Sequence, residues 1–285
     1  MPVSGEPAES LEIPRPASTT RAEVVTVDDG RRARRSDRLA TEEPMEIRVE
    51  EPGVEQRSVA VTMRTPGHDF ELAVGFLLTE GLIFGRDDVR SVRYCAVPRE
   101  EQHYNVVSVS VARALEFEQR SFYATSSCGV CGKASLDAID VQCAPIADGP
   151  VVAPAVVTAL PEALRGAQAV FERTGGLHAA GLFDPQGTLI ASREDVGRHN
   201  AVDKLVGSQL LEGRLPLSES ILMVSGRASF EIIQKAATAG IPIVCAVSAP
   251  SSLAVDAARR FGLTLVGFLR GERFNIYTRA ERIGE

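Results

Sequence analysis

Residues Ile221 to Arg270, ILMVSGRASFEIIQKAATAGIPIVCAVSAPSSLAVDAARRFGLTLVGFLR, decide the fold. Short apolar runs at Ile221–Val224, Ile241–Val247 and Leu263–Phe268 read as buried strands, and helical spacing from about Phe230 to Ala239 and from Leu253 to Phe261 fills the gaps. Gly240 closes the first helix. Buried strands that alternate with helices pair in parallel, so this region is expected to be an α/β sheet. Upstream, Leu160 to Phe171 reads as a helix with Pro161 in its first turn. Ala179–Phe183 and Thr188–Ala191 read as strands around the turn Asp184-Pro185-Gln186-Gly187, and Asn200 to Leu211 as a helix.

The same rhythm does not extend to the N-terminal half. Met45, Ile47 and Val49 alternate with charged residues, Val59, Val61 and Met63 do so after Pro52-Gly53, and Leu72, Ala73, Phe76 and Leu77 recur at helical spacing after Asp69, a candidate cap. Strands are expected around Val89–Val97 and Tyr104–Val111. The expected organisation is a disordered tail at 1–36, rich in Pro, Glu, Ser and Ala at its start, and an α+β part at 37–120. A cysteine-bearing loop region at 121–150 and a C-terminal α/β domain at 151–285 complete it. The run Arg31-Arg32-Ala33-Arg34-Arg35 sits beside Asp28, Asp29, Asp37, Glu42 and Glu43, and reads as a solvated basic stretch.

A chain of 285 residues buries enough apolar surface to fold without disulfide or metal. Its formal net charge of −7 argues against broad nucleic-acid binding, which needs a basic surface. No apolar run is long enough for a membrane span or a signal peptide. The five cysteines are an odd number, which fits a reduced, cytoplasmic setting. Cys95 and Cys245 lie in apolar runs and read as small hydrophobes.

The sharpest chemical feature is Cys128-Gly129-Val130-Cys131-Gly132. Flexible glycines let the loop bring a sulfur to large partners. A helix expected at Ala134–Ile139, together with Lys133, would lower the Cys128 thiol pKa and favour the nucleophilic thiolate. The same spacing also serves a zinc site or a redox pair. Zinc would need ligands from elsewhere, such as Cys143, and a redox pair usually follows a buried strand rather than a Ser-rich loop.

Two strand-to-helix loops, Ser225-Gly226-Arg227-Ala228-Ser229 and Ser248-Ala249-Pro250-Ser251-Ser252, offer helix N-termini to an anion, with plain serine capping as the alternative. Arg198 and Lys204, around Asp195-Val196-Gly197-Arg198-His199-Asn200, are further candidate phosphate contacts. At Phe268-Leu269-Arg270-Gly271-Glu272-Arg273 two arginines flank a glycine, in a binding loop or in a solvated hairpin turn. Thr174 to Ala180 begins like the zinc-binding helix of nucleoside deaminases, but Ala180 stands where the catalytic Glu is required and the Cys pair precedes His178, which argues against deamination.

Taken in order, TPGHDFELAVGFLLTEGLI, SSCGVCGK, TGGLHAAGLF, DVGRHNAVDKL, SGRASFEIIQKAA, SAPSSLAV and LTLVGFLRGERFNIYT resemble the formate dehydrogenase accessory sulfurtransferases (FdhD) over most of the chain. The departures are the long N-terminal tail and the loop around Glu51 to Gln56. The resemblance implies a cytidine deaminase-like C-terminal α/β domain with a smaller α+β N-terminal part, and a dimer. It implies a sulfurtransferase that accepts persulfide sulfur from a cysteine desulfurase on Cys128, with Cys131 assisting. The acceptor it implies is the molybdenum bis-molybdopterin guanine dinucleotide cofactor destined for formate dehydrogenase. The cofactor-binding stretch maps onto Phe268, Leu269, Arg270, Gly271, Glu272 and Arg273, with Phe268 suited to stacking and the two arginines to phosphate. Other readings of the same residues are a cofactor-binding chaperone without covalent chemistry and a zinc-stabilised interaction protein.

Overall fold

The structure, a computed structural model, describes residues 15–95, 103–115, 122–124 and 145–284. It corrects the expected tail first. Strands β1 (Thr19–Asp28) and β2 (Arg31–Ala40) form an antiparallel ribbon, paired from Thr19↔Ala40 to Asp28↔Arg31. The tight turn is Asp29-Gly30, with φ of 45° and 76°. Two successive positive φ angles make a mirror-image turn whose twist matches the strands, and Asp-Gly is a preferred pair for it. Val24, Val25, Thr26 and Val27 supply the β-branched strand that the tail reading overlooked. The arginines of the basic run are exposed along β2, and Val25 and Val27 are exposed along β1.

Next come β3 (Glu43–Glu50), β4 (Arg57–Arg64), α1 (Asp69–Thr79), β5 (Val89–Tyr94), β6 (Val106–Val111) and β7 (Phe122–Ala124). The strands form a five-stranded sheet in the order β5-β6-β3-β4-β7. Met45, Ile47 and Val49, the apolar members of the alternation, are fully buried. Asp69 does not cap α1. The cap position is His68, in the left-handed region, and Asp69 is the first helical residue. Its carboxylate instead takes two hydrogen bonds from the fully buried Arg64, Nε at 3.1 Å and a terminal nitrogen at 3.0 Å, and a third from the Tyr94 hydroxyl. A buried guanidinium needs that paired geometry to offset its lost hydration.

The remaining chain builds α2 (Pro154–Gly166), α3 (Ala169–Thr174), β8 (His178–Phe183), β9 (Leu189–Asp195), α4 (Arg198–Leu211), β10 (Ile221–Val224), α5 (Phe230–Thr238), β11 (Ile243–Ala246), α6 (Ser252–Phe261), β12 (Thr264–Arg270) and β13 (Arg273–Thr278). The six-stranded sheet runs β13-β12-β11-β10-β8-β9. β10, β11 and β12 are parallel, as the strand–helix alternation requires, while the β8–β9 hairpin and β13 are antiparallel. The sheet is therefore mixed. The helix expected at Leu160–Phe171 is two helices. Pro154 opens the first, and Pro161 lies inside it. The extended residue Ala153, as favoured before a proline, sets the true start.

One apolar core joins both sheets: Met45, Ile47 and Val107 from the first share a cluster with Leu182, Leu222 and Val244 from the second, through α1, α4 and α5. A smaller core lies on the opposite face of the second sheet, where Val157, Leu160 and Leu164 of α2 meet Phe183, Met223 and Cys245. Cys245 is fully buried there, and burial pushes its thiol up to about 12, so it is an inert packing residue. Helices α1 and α4 touch backbone to backbone. A Cβ on Gly75 would lie 1.9 Å from the Asp203 carbonyl oxygen, and one on Gly207 1.9 Å from that of Glu71. Beside this crossing, Lys235 of α5 pairs with Asp203 at 2.8 Å and donates to Thr79 Oγ1 at 2.9 Å, which pins three helices together. Arg193 of β9 also pairs with Glu71 of α1, an ion pair that binds the second sheet's edge to the first unit.

Candidate functional site

The three parallel strands end at one edge of the sheet, and their loops are stitched into a continuous rim. Ser248 N donates to Gly226 O (3.4 Å), Ser251 N to Ala228 O (3.0 Å) and Phe268 N to Ser248 O (3.2 Å). Because β8 runs antiparallel to β10, its first residue, His178, and the last residue of β9, Asp195, reach the same edge. Ser225 N donates to Ala179 O at 3.0 Å, and Ala179 N returns a bond to Ser225 Oγ at 2.9 Å. Crevices outside the carboxyl ends of parallel strands are where α/β proteins bind ligands.

The loop between β9 and α4 is held from below. Asp195, fully buried, pairs with Lys204 at 2.7 Å and accepts from the Gly197 amide (2.8 Å), Asn200 Nδ2 (3.0 Å) and the Thr65 amide (3.1 Å). Lys204 spends a second donor on the Thr65 carbonyl at 2.8 Å. Lys204 was expected to touch phosphate; it is a structural cation, 1% exposed, because its helix face points into the seam with β4. Arg198, the first residue of α4, points elsewhere. Its Cδ lies 3.9 Å from where a Gly226 Cβ would sit, and His178 Nδ1 lies 3.3 Å from the same point. The Nε of Arg198 is buried with no hydrogen-bond partner.

Two histidines here are held neutral. Burial first, then the charge of Arg198, pulls the His178 ring below its usual range; Arg227 adds to this and Asp195 opposes it. His199 is pushed down to about 4, first by burial and then by Lys235 and Arg198. Its Nε2 lies 3.1 Å from Ser229 Oγ and 3.8 Å from Glu231. The serine-capping alternative therefore divides: Ser251 Oγ caps α6 by accepting from Ala254 N at 3.2 Å, whereas Ser229 makes no cap bond to α5. We expect the His199 resonance of labelled protein to titrate with a midpoint about 4. An unfolded histidine takes its proton near 6.5, so the folded state loses stability as pH falls from there toward 4. A measured midpoint near 6.5 would refute the burial of this ring.

The stretch Phe268–Arg273 is not one surface. Phe268 sits on the rim, 43% exposed with φ of 53° at an irregularity in β12. Leu269 is 1% exposed and packs in the smaller core, so it faces no ligand. Arg270 and Arg273 pair across the turn with Gly271 between them at φ of 55°, and all of Arg270, Gly271, Glu272 and Arg273 are exposed. Cys128, Cys131, Lys133, Cys143 and the helix expected at Ala134–Ile139 lie outside the described residues. His178 opens a strand rather than a helix, which removes the local geometry of the deaminase zinc motif along with its missing Glu. The sequence reading underrated His178; its place beside Gly226 comes from strand pairing, which no local pattern reveals. Among the described residues no helix is long and apolar enough to cross a membrane.

A profile of the FdhD/NarQ family matches residues 40–284, which take in the Cys128–Cys131 pair and the whole rim. The chain belongs to the FdhD/NarQ family. The sulfur carrier protein FdhD of Mycolicibacterium paratuberculosis is 55% identical over 274 residues, covering 93% of this chain and 99% of that protein. The sulfur carrier protein FdhD of Streptomyces coelicolor is 53% identical over 274 residues, covering 93% of this chain and 95% of its own. A crystal structure described as a formate dehydrogenase accessory protein from Desulfotalea psychrophila superposes with a TM-score of 0.76 at 28% identity, over 94% of this chain and 100% of that one. The FdhD/NarQ fold thus extends over the mixed α/β arrangement described above.

Proposed function

We propose that this chain is a cytoplasmic sulfurtransferase that serves formate dehydrogenase. The observation that carries the reading is the 55% identity, over 93% of the chain, to a protein named a sulfur carrier. In this reading the Cys128 thiolate attacks the outer sulfur of a persulfide on a cysteine desulfurase; a Cys128 S–S bond forms and the donor cysteine leaves as a thiolate. Cys131 assists release. The sulfur then passes to the molybdenum bis-molybdopterin guanine dinucleotide, the acceptor substrate, and the protein acts as a homodimer. The rim supports a nucleotide-bearing acceptor, because it combines an exposed aromatic ring at Phe268 with loops that lead into helix N-termini. We further read the second sheet as a cytidine deaminase-like core adapted to this task; an antiparallel hairpin ahead of three parallel strands supports that.

Intact-protein mass spectrometry after incubation with a cysteine desulfurase and cysteine tests the carrier step. The expected result is a gain of about 32 Da that reductant reverses, as persulfide chemistry requires. Cys128→Ala should abolish the gain while the melting curve stays that of the wild type. A wild-type chain that gains no mass beside an active desulfurase would leave non-covalent cofactor binding as the better reading.

A further inference from the structure

Carrying sulfur on a cysteine gives no use to the β1–β2 ribbon, which lies ahead of the family match; that match begins at its last residue, Ala40. Residues directly paired in an antiparallel ribbon share a face, so the register sorts its charges. One face carries Arg21 opposite Arg38, Val25 opposite Arg34, Val27 opposite Arg32 and Glu23 opposite Ser36. The other carries Arg35 opposite Val24, together with Asp28 and Asp37. Ala22, Val24 and Thr26 on this second face are half-buried, whereas the arginines and valines of the first are exposed. The basic face is the one turned to solvent.

We infer that this face and the open edge of β2 form a docking surface for an acidic segment of another protein, bound in extended form as a third strand. The inference goes beyond the proposed function and does not rest on it. Charge balance is its first support. Four arginines share the face with one carboxylate, Glu23. Among the described residues, none of the four has a carboxylate within ion-pair distance. Arg21 and Arg38 stand directly opposite each other, an arrangement that costs stability in a sheet. Acids near the run in sequence give no relief: Asp28 and Asp37 lie on the other face, and Glu43 is engaged by Arg64 at 3.1 Å.

Backbone geometry is the second support. Among the described residues β2 pairs only with β1, and Arg31 to Ser36 are all exposed, so the outer N–H and C=O groups of β2 are open. A two-stranded ribbon is marginal by itself, and a third strand completes it. Alternate residues of an added strand are about 6.7 Å apart, the spacing of Arg32 and Arg34, and stand beside them on the basic face. Single exposed ion pairs are weak, so a row of carboxylates in this register, held by backbone hydrogen bonds, is what supplies affinity. The valines decide the class of partner. Val25 and Val27 are 57% and 64% exposed among the guanidinium groups. A phosphate backbone offers them nothing. A bilayer would cover them but leave the open backbone groups of β2 without partners.

Fluorescence anisotropy of the full-length chain with a labelled synthetic peptide, in which Glu alternates with Val and Thr, tests the surface. The same peptide with Gln for Glu, and an N-methylated version that cannot pair as a strand, should each bind at least about tenfold more weakly. Arg32→Glu and Arg34→Glu should each weaken binding about fivefold, by losing one ion pair and adding one repulsion. Arg35→Glu makes the same change of charge on the other face and should stay within about twofold at physiological salt, which screens distant charges. All three arginines are exposed, so the substitutions spare the core, and thermal melts of the variants verify this. Absence of peptide binding, equal losses in Arg34→Glu and Arg35→Glu, or tighter binding of a labelled single-stranded DNA or of phosphatidylserine vesicles would each overturn the inference. No desulfurase is present in the measurement, so a failure of sulfur loading on Cys128 leaves it untouched.

Discussion

Gly207→Ala is expected to lower stability by about 3 kcal/mol or more, at or beyond the upper end of ordinary overpacking costs. The reason is what the new methyl group meets. It would lie 1.9 Å from the Glu71 carbonyl oxygen and 2.9 Å from the Gly75 amide nitrogen, and both are backbone atoms inside another helix. A flexible side chain could turn away; a helix backbone can only move as a body. Separating α1 from α4 would also stretch the Thr79–Asp203 hydrogen bond of 2.7 Å and the Lys235–Asp203 pair beside it. For a chain of this size a loss of that order moves the melting temperature down by roughly 5 °C. Gly75→Ala should cost a similar amount, and the double variant less than the sum, since the two methyl groups force one and the same separation. Thermal melts followed by circular dichroism decide the matter; a Gly207→Ala midpoint within about 2 °C of the wild type would contradict the backbone contact.

That contact illustrates what local pattern could not convey. Gly75 and Gly207 sit in the middle of helices, where glycine is unfavourable by about 1 kcal/mol relative to alanine, so each alone reads as a weak spot. Only the tertiary crossing turns the pair into a requirement. The same holds for Lys204: at the fourth position after Asn200 it reads as a surface cation near a loop, and its burial depends on a strand that lies far away in sequence. The alternations at Met45–Val49 and Ile221–Val224, in contrast, were legible because burial of alternate or successive residues is imprinted locally. The ribbon at Thr19–Ala40 was legible too, through Asp29-Gly30 between two strands, but composition weighed more than turn chemistry, and five arginines in β2 masked its strand character. Pro161 misled in a similar way, since a proline marks a first turn only where an earlier proline does not already start the helix.

The candidate site divides along the same line. Glycine-, serine- and arginine-bearing loops after buried strands announce the loop edge of the sheet, because strand ends and helix starts are fixed by periodicity. Which arginines converge is fixed by strand order. The antiparallel placement of β8 beside β10 carries His178 to Gly226, and the β9–α4 loop brings Arg198 to the same glycine. The hairpin arginines, equally prominent in sequence, face each other across the turn after Phe268 and are exposed.

Asp195→Ala should lower stability, because it breaks one side of a fully buried ion pair. The substitution leaves the Lys204 ammonium buried with only the Thr65 carbonyl as partner, and removes the acceptor of the Gly197, Asn200 and Thr65 donors. Breaking one side of a buried pair costs about 3–5 kcal/mol, mostly because the remaining charge stays buried. Adding Lys204→Met to Asp195→Ala should therefore recover a substantial part of the loss, since the double variant buries no uncompensated charge, although the three backbone and amide donors still lack their acceptor. Urea melts of the wild type, both single variants and the double variant give the coupling energy directly. A single variant that costs under about 1 kcal/mol would mean the pair is hydrated rather than buried.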